Sequence, residues 1–132
     1  MNAVEIEEAI SLLADQPFDA DAFPYLFLEA FGNKSTTIKR LKSGATNKSD
    51  VGGVLQRGNI HIKTCAEGEV AATLDALRKS PASQKQKVRF ILATDGRDFQ
   101  AEDMTGGDTV ACNFPDFANH FGFFLELAGI ST

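Results

Sequence analysis

The sequence predicts a mixed α/β domain in which N-terminal helices precede a mixed β-sheet with a crossing helix. Three observations lead there. Apolar residues recur at helical spacing up to about Leu41, alternation of period two takes over at Asn59, and Val88–Thr94 is a nearly continuous apolar run. Such a run suits a strand buried on both faces, at the centre of a sheet.

Val4, Ile6, Ala9, Ile10 and Leu13 predict a helix over 2–14, with Glu5, Glu7 and Glu8 mostly on its other face and near its positive end. Pro17 ends it. Asp19 or Asp21 is placed to cap a second helix carrying Phe23, Leu26, Phe27, Ala30 and Phe31, with Pro24 in its first turn and Gly32–Asn33 as its stop. Ser35 or Thr36 would cap a third helix over 36–41, closed by Gly44. Residues 52–56 and 59–64 flank Arg57–Gly58 as a β-hairpin, with Ile60 and Ile62 on one face and His61, Lys63 and Cys65 on the other. Val70, Ala71, Leu74 and Leu77 mark a helix over 68–79, and 80–87 reads as a polar loop. After the strand at 88–94, 99–103 and 109–112 form a second hairpin. A short helix over 116–121 and the apolar 121–127 segment close the order ααα-ββ-α-βββ-α.

With 132 residues, 43% of them hydrophobic, the chain is one ordinary domain able to bury a core. Eleven Phe and no Trp make phenylalanine the expected core material. The N-terminus lacks the basic start and apolar run of a signal peptide, and no stretch approaches the ~18 apolar residues that span a bilayer. Cys65 and Cys112 stand far apart without a paired-cysteine motif, so reduced thiols and a cytoplasmic setting are expected, with no membrane partner.

Charge is segregated. Residues 1–33 hold seven acids and no Lys or Arg, whereas 34–48 hold five bases (Lys34, Lys39, Arg40, Lys42, Lys48) and no acid. Those five are the candidate phosphate contacts; the plainer alternative is a solvated helix balancing the acidic segment. The net charge of −5 does not mark the whole chain as a nucleic-acid binder. His61, Cys65, Cys112 and His120 match no usual zinc spacing, and no resident metal is expected. Asp19 and Asp21 fit helix caps better than metal ligands. Phosphate-loop, HExxH and GxSxG motifs are missing.

The hairpin is the most informative segment. A D…ExK nuclease carries Asp on one strand and Glu-x-Lys on the next, so that alternation sets Glu and Lys beside the metal and the attacking water. Here the same-face residues are Lys63 and Cys65, and a lysine repels a divalent cation rather than binding it.

The strings Asn59–Ile–His–Ile–Lys–Thr–Cys, Phe90–Ile–Leu–Ala–Thr–Asp–Gly, His120–Phe–Gly–Phe–Phe and Leu127–Ala–Gly–Ile–Ser–Thr, with Phe31–Gly–Asn–Lys and Thr37–Ile–Lys–Arg–Leu, run the length of the chain. They resemble the N-terminal region of large single-chain class I DNA methyltransferases related to type IIL and type IIG restriction–modification enzymes. The resemblance implies a restriction-endonuclease-like fold and a D…ExK nuclease domain in active relatives. With Gly58 as the shared turn, the family's Asp, Glu and Lys positions fall on Gly53, Lys63 and Cys65, with Asp50 nearby but out of register. All three depart from the pattern. The resemblance therefore implies a single non-catalytic accessory domain spanning 1–132, a piece of a longer chain ending here at Ile130–Ser–Thr. That parent would be an S-adenosylmethionine-dependent methyltransferase acting on DNA. The methyltransferase loops lie outside this sequence, which has no adjacent prolines for an (N/D)PP(Y/F) loop, and the domain itself needs no cofactor. Its partners would be DNA, through the parent enzyme, and other domains of the same chain. Two rivals are a divergent metal-dependent nuclease using Asp50 with Glu67 or Glu69, and a module that binds a partner protein.

Overall fold

The computed structural model describes residues 1–131. Helix α1 (Ala3–Asp15) opens on a capping box in which Asn2 and Glu5 exchange side-chain-to-backbone hydrogen bonds. Ahead of α2 (Phe23–Ala30), Asp19 accepts hydrogen bonds from the Asp21 and Ala22 amides. It therefore holds the turn into the helix, while the cap position itself is Ala22. Helix α3 (Ser35–Lys42) has Lys34 at its N-cap and no side-chain cap, so neither Ser35 nor Thr36 plays the predicted role.

Strands β1 (Val54–Gln56) and β2 (Ile60–Thr64) form the predicted antiparallel hairpin, although Gly52 and Gly53 lie ahead of β1 and the turn takes three residues rather than two. Gly58 adopts φ +76°, a left-handed conformation glycine takes without steric cost. Helix α4 (Val70–Lys79) crosses from β2 to β3 (Phe90–Thr94), which run parallel. β4 (Asp98–Asp103) and β5 (Thr109–Asn113) continue antiparallel, so the five strands lie in sequence order with β3 central. Every residue of β3 is buried, as its apolar run requires.

The predicted polar loop at 80–87 is instead a short helix, α5 (Pro81–Lys85). Ser80 accepts from the Ser83 amide, and the Asp50 carboxylate, distant in sequence, accepts from the Ala82 amide at 3.1 Å. The chain then ends in a 3₁₀ segment, Phe114–Ala128, in place of a short helix over 116–121. Side chains three apart align in a 3₁₀ helix. Phe114 and Phe117 share one such row, and Phe121, Phe124 and Leu127 another. The rows are offset by one residue at His120, where the backbone leaves the helical region.

Alternation along the strands splits the apolar residues between two cores. Ile60, Ile62, Phe90, Leu92, Phe99 and Ala101 face α1, α2, α3 and the 3₁₀ segment. Leu55, Ile91 and Ala93 face α4. The first core is built from phenylalanine: Phe99 stacks on Phe117 at 4.9 Å, and Phe124 meets Phe27 edge-on at 5.2 Å. Eight of the eleven phenylalanines are buried, as their number suggested.

Candidate functional site

The open end of the β1–β2 hairpin holds Gly53, Lys63 and Cys65, the three positions to which the resemblance assigned Asp, Glu and Lys. One step beyond the Val54–Ile62 pair, Gly53 lies opposite Lys63. A Cβ on Gly53 would stand 2.4 Å from the Ile62 carbonyl oxygen, so the backbone itself leaves no room for an aspartate. Lys63 is half-buried beside Gly52. Cys65 packs against the α4 core and donates weakly to the Thr94 carbonyl at 3.7 Å, and burial pushes its thiol pKa up.

Two of the three carboxylates of the rival nuclease reading, Asp50 and Glu67, are engaged elsewhere. Asp50 accepts from Ser80 Oγ at 2.5 Å and from the Ala82 amide; the Ser80 hydrogen bond is the main reason its carboxyl sits below the usual range. Glu67 pairs with Arg97, and Glu69 sits at the N-cap of α4 without a capping hydrogen bond. Among the described residues, no three His, Cys, Asp or Glu side chains gather where they could hold a metal ion. His61, Cys65, Cys112 and His120 are spread over β2, its end, β5 and the 3₁₀ segment.

His61 has a structural setting that the sequence did not disclose. It is fully buried, with Nε2 2.7 Å from Ser49 Oγ and Nδ1 2.9 Å from Ser83 Oγ. Ser49 Oγ also accepts from the Val51 and Gly53 amides. Asn47 bonds the Gly53 carbonyl and the Leu55 amide, and the Lys48 amide donates to the Leu55 carbonyl. Together these bonds lay residues 47–53 along the edge of β1 and tie them, through His61, to α5. Burial is the foremost reason the imidazole pKa falls to about 4, and Lys63 adds to it. No motif marks Ser49 or Ser83; only an isolated histidine on a strand predicted to be half-buried hinted that a partner was needed.

The basic candidates lie on and beside α3. Lys34 is its N-cap, Lys39, Arg40 and Lys42 occupy its last turn, and Lys48 lies in the loop along β1. All five are exposed, and none pairs with a carboxylate among the described residues. Lys42 instead stands over the Tyr25 ring, 5.3 Å from its centre. The cations in α3's last turn also sit favourably at the negative end of the helix dipole. Sequence reasoning treated Arg57 only as part of a turn, yet it shares a cleft with Arg40. Its basic side chain at a turn, with no acid nearby in sequence, was the available signal.

A search of curated proteins and a search of solved structures each found no match. A family profile described as "MmeI, N-terminal domain" matches residues 1–132. The match is to the full length of this chain, the same span over which the sequence strings resemble restriction–modification methyltransferases. The chain belongs to the family of the N-terminal domain of the restriction–modification enzyme MmeI.

Proposed function

We propose that this is a non-catalytic accessory domain that helps a DNA-modification methyltransferase engage DNA, through phosphate contacts from Lys34, Lys39, Arg40, Lys42 and Lys48. The carrying observation is that all five cations are exposed and without carboxylate partners among the described residues. Phosphate contacts supply affinity through released counterions but carry no base information. Binding by the domain is therefore weak, insensitive to sequence and steeply reduced by salt. S-adenosylmethionine belongs to the parent chain in this reading.

The charge and shape of the hairpin end support a reading without cleavage. In the alignment the resemblance implies, Lys63 takes the position of a metal-ligating carboxylate, and Gly53, at the aspartate position, has no room for a side chain. The test has two arms. Plasmid incubated with the domain and Mg²⁺ or Mn²⁺ is expected to stay uncut; robust cleavage overturns the non-catalytic reading. A short duplex titrated at low salt is expected to bind wild type several-fold more tightly than Lys39→Ala/Arg40→Ala/Lys42→Ala. Equal binding by the two proteins moves the contact elsewhere.

A second reading, assembly with other domains of the parent chain, is favoured by one feature. Leu12 and Leu26 are 65% and 37% exposed and line a shallow apolar groove between α1 and α2.

A further inference from the structure

We propose that the cleft between α3 and the β1–β2 turn grips a backbone phosphate of nucleic acid between Arg40 and Arg57. The proposal rests on the DNA-engagement reading and adds a residue outside its basic segment. Three of the five arginines, Arg78, Arg89 and Arg97, are paired with carboxylates. Arg40 and Arg57 are unpaired among the described residues, and those two line one cleft of about 190 Å³. Its other lining residues are Thr37, Leu41, Thr46 and Gln56, with no acid among them. Two arginines and two threonines lining one cleft without a carboxylate offer the donor types a phosphate takes on its oxygens, forked N–H and O–H.

The backbone that carries each arginine is tied down by hydrogen bonds. Arg40 stands on α3, and its carbonyl accepts from the Ser43 hydroxyl and the Thr46 amide, which folds the following loop back toward the cleft. Arg57 occupies a turn closed by the Asn59 amide on the Gln56 carbonyl at 3.0 Å. The Gln56 side chain is fixed in turn, donating to Asn33 Oδ1 at 2.8 Å and accepting from Asn59 Nδ2 at 2.9 Å. The Gly58 amide donates to the Gln86 carbonyl at 2.8 Å, tying the turn to a stretch that carries exposed Lys85 and Lys87. The positive surface therefore continues from α3 across the turn toward α5, away from the degenerate nuclease positions at the other end of the hairpin.

The test compares Arg57→Ala, Arg57→Lys and Arg97→Ala in duplex titrations across a salt series. Arg97 supplies the control for losing one positive charge, since it follows β3 at the opposite end of the sheet. Arg57→Ala is expected to weaken binding by about 5- to 10-fold relative to Arg97→Ala, and to flatten the slope of log affinity against log salt by about 1. Arg57→Lys is expected to keep the slope while binding more weakly than wild type, because an ammonium lacks the guanidinium fork. If Lys39→Ala/Arg40→Ala/Lys42→Ala weakens binding but Arg57→Ala behaves like Arg97→Ala, the phosphate grip is overturned and the broader DNA reading stands. If the triple variant binds as wild type does, the broader reading fails and the grip fails with it, since Arg40 is among the three.

Discussion

Because Ser83 gives its proton to the Leu77 carbonyl at 2.7 Å, it can only accept from His61, so the imidazole carries its proton on Nδ1. Nε2 then accepts from Ser49, whose oxygen is itself an acceptor for two backbone amides. The neutral ring satisfies every partner, and a second proton would compete with the one Ser49 donates. This geometry agrees with a pKa lowered from 6.5 to about 4. The unfolded chain therefore binds the proton more readily than the folded one. Stability from the neutral ring is complete above pH 6.5 and is lost as pH falls through the folded value near 4. The loss reaches about 3 kcal/mol in all, with about 2 kcal/mol of it gone by pH 5. Asp50, Asp75 and Asp95 are shifted below the ordinary carboxylate value of 3.8, so their contributions are lost at lower pH. Urea melts of wild type and His61→Gln between pH 7.5 and pH 4.5 read the effect directly. The wild-type midpoint is expected to fall across that window and the variant's to stay nearly level; parallel curves would assign the acid sensitivity to another group.

At the scale of elements, α5 depends on a residue thirty positions upstream. Asp50 accepts the Ser80 hydroxyl and the Ala82 amide, so it caps a helix that its own segment does not contain. Asp50→Ala should cost about 1 kcal/mol, within the range for losing a helix cap. Amide exchange over residues 81–86 should accelerate more than exchange in β3; uniform acceleration, or none, would show that Asp50 does not hold this helix. The same dependence explains what could be read from the sequence. The period-two pattern of Ile60 and Ile62, the apolar run into β3 and the amphipathic α1 and α4 are local signals, and each element formed where those signals lay. Helix α5 is too short for periodicity to show, and its cap comes from a long-range contact, so 80–87 looked like loop. The 3₁₀ segment was hidden because its phenylalanine rows change phase at His120, which breaks any single period. The site divided in the same way. The basic residues of α3 were legible as a run, whereas the Arg40–Arg57 pairing arises only when the hairpin folds back against α3.

Across the whole molecule, charge follows architecture. Residues 1–33 and 98–132 contain no Lys or Arg, so α1, α2 and the 3₁₀ segment, which pack together, form an acidic side. Among the described residues, the unpaired cations lie on and beside α3, along the β1–β2 hairpin and in the stretch leading to β3. A net charge of −5 thus masks a molecule with two faces rather than one uniformly unsuited to DNA. The acidic side should orient the domain, turning α3 toward a duplex and α1 away, while taxing affinity through long-range repulsion. Screening decides how much: the Debye length is roughly 30 Å at 0.01 M salt and about 8 Å at physiological strength. Glu7 and Glu8 are exposed on α1 and lie outside the Asn2–Glu5 capping box, so they can be neutralised without disturbing the helix start. Glu7→Gln/Glu8→Gln is expected to tighten duplex binding by about 2- to 3-fold at low salt and to leave it unchanged near physiological salt. A gain that persists at high salt would mean these glutamates lie close to the bound DNA, which would place the interface on α1 instead of α3.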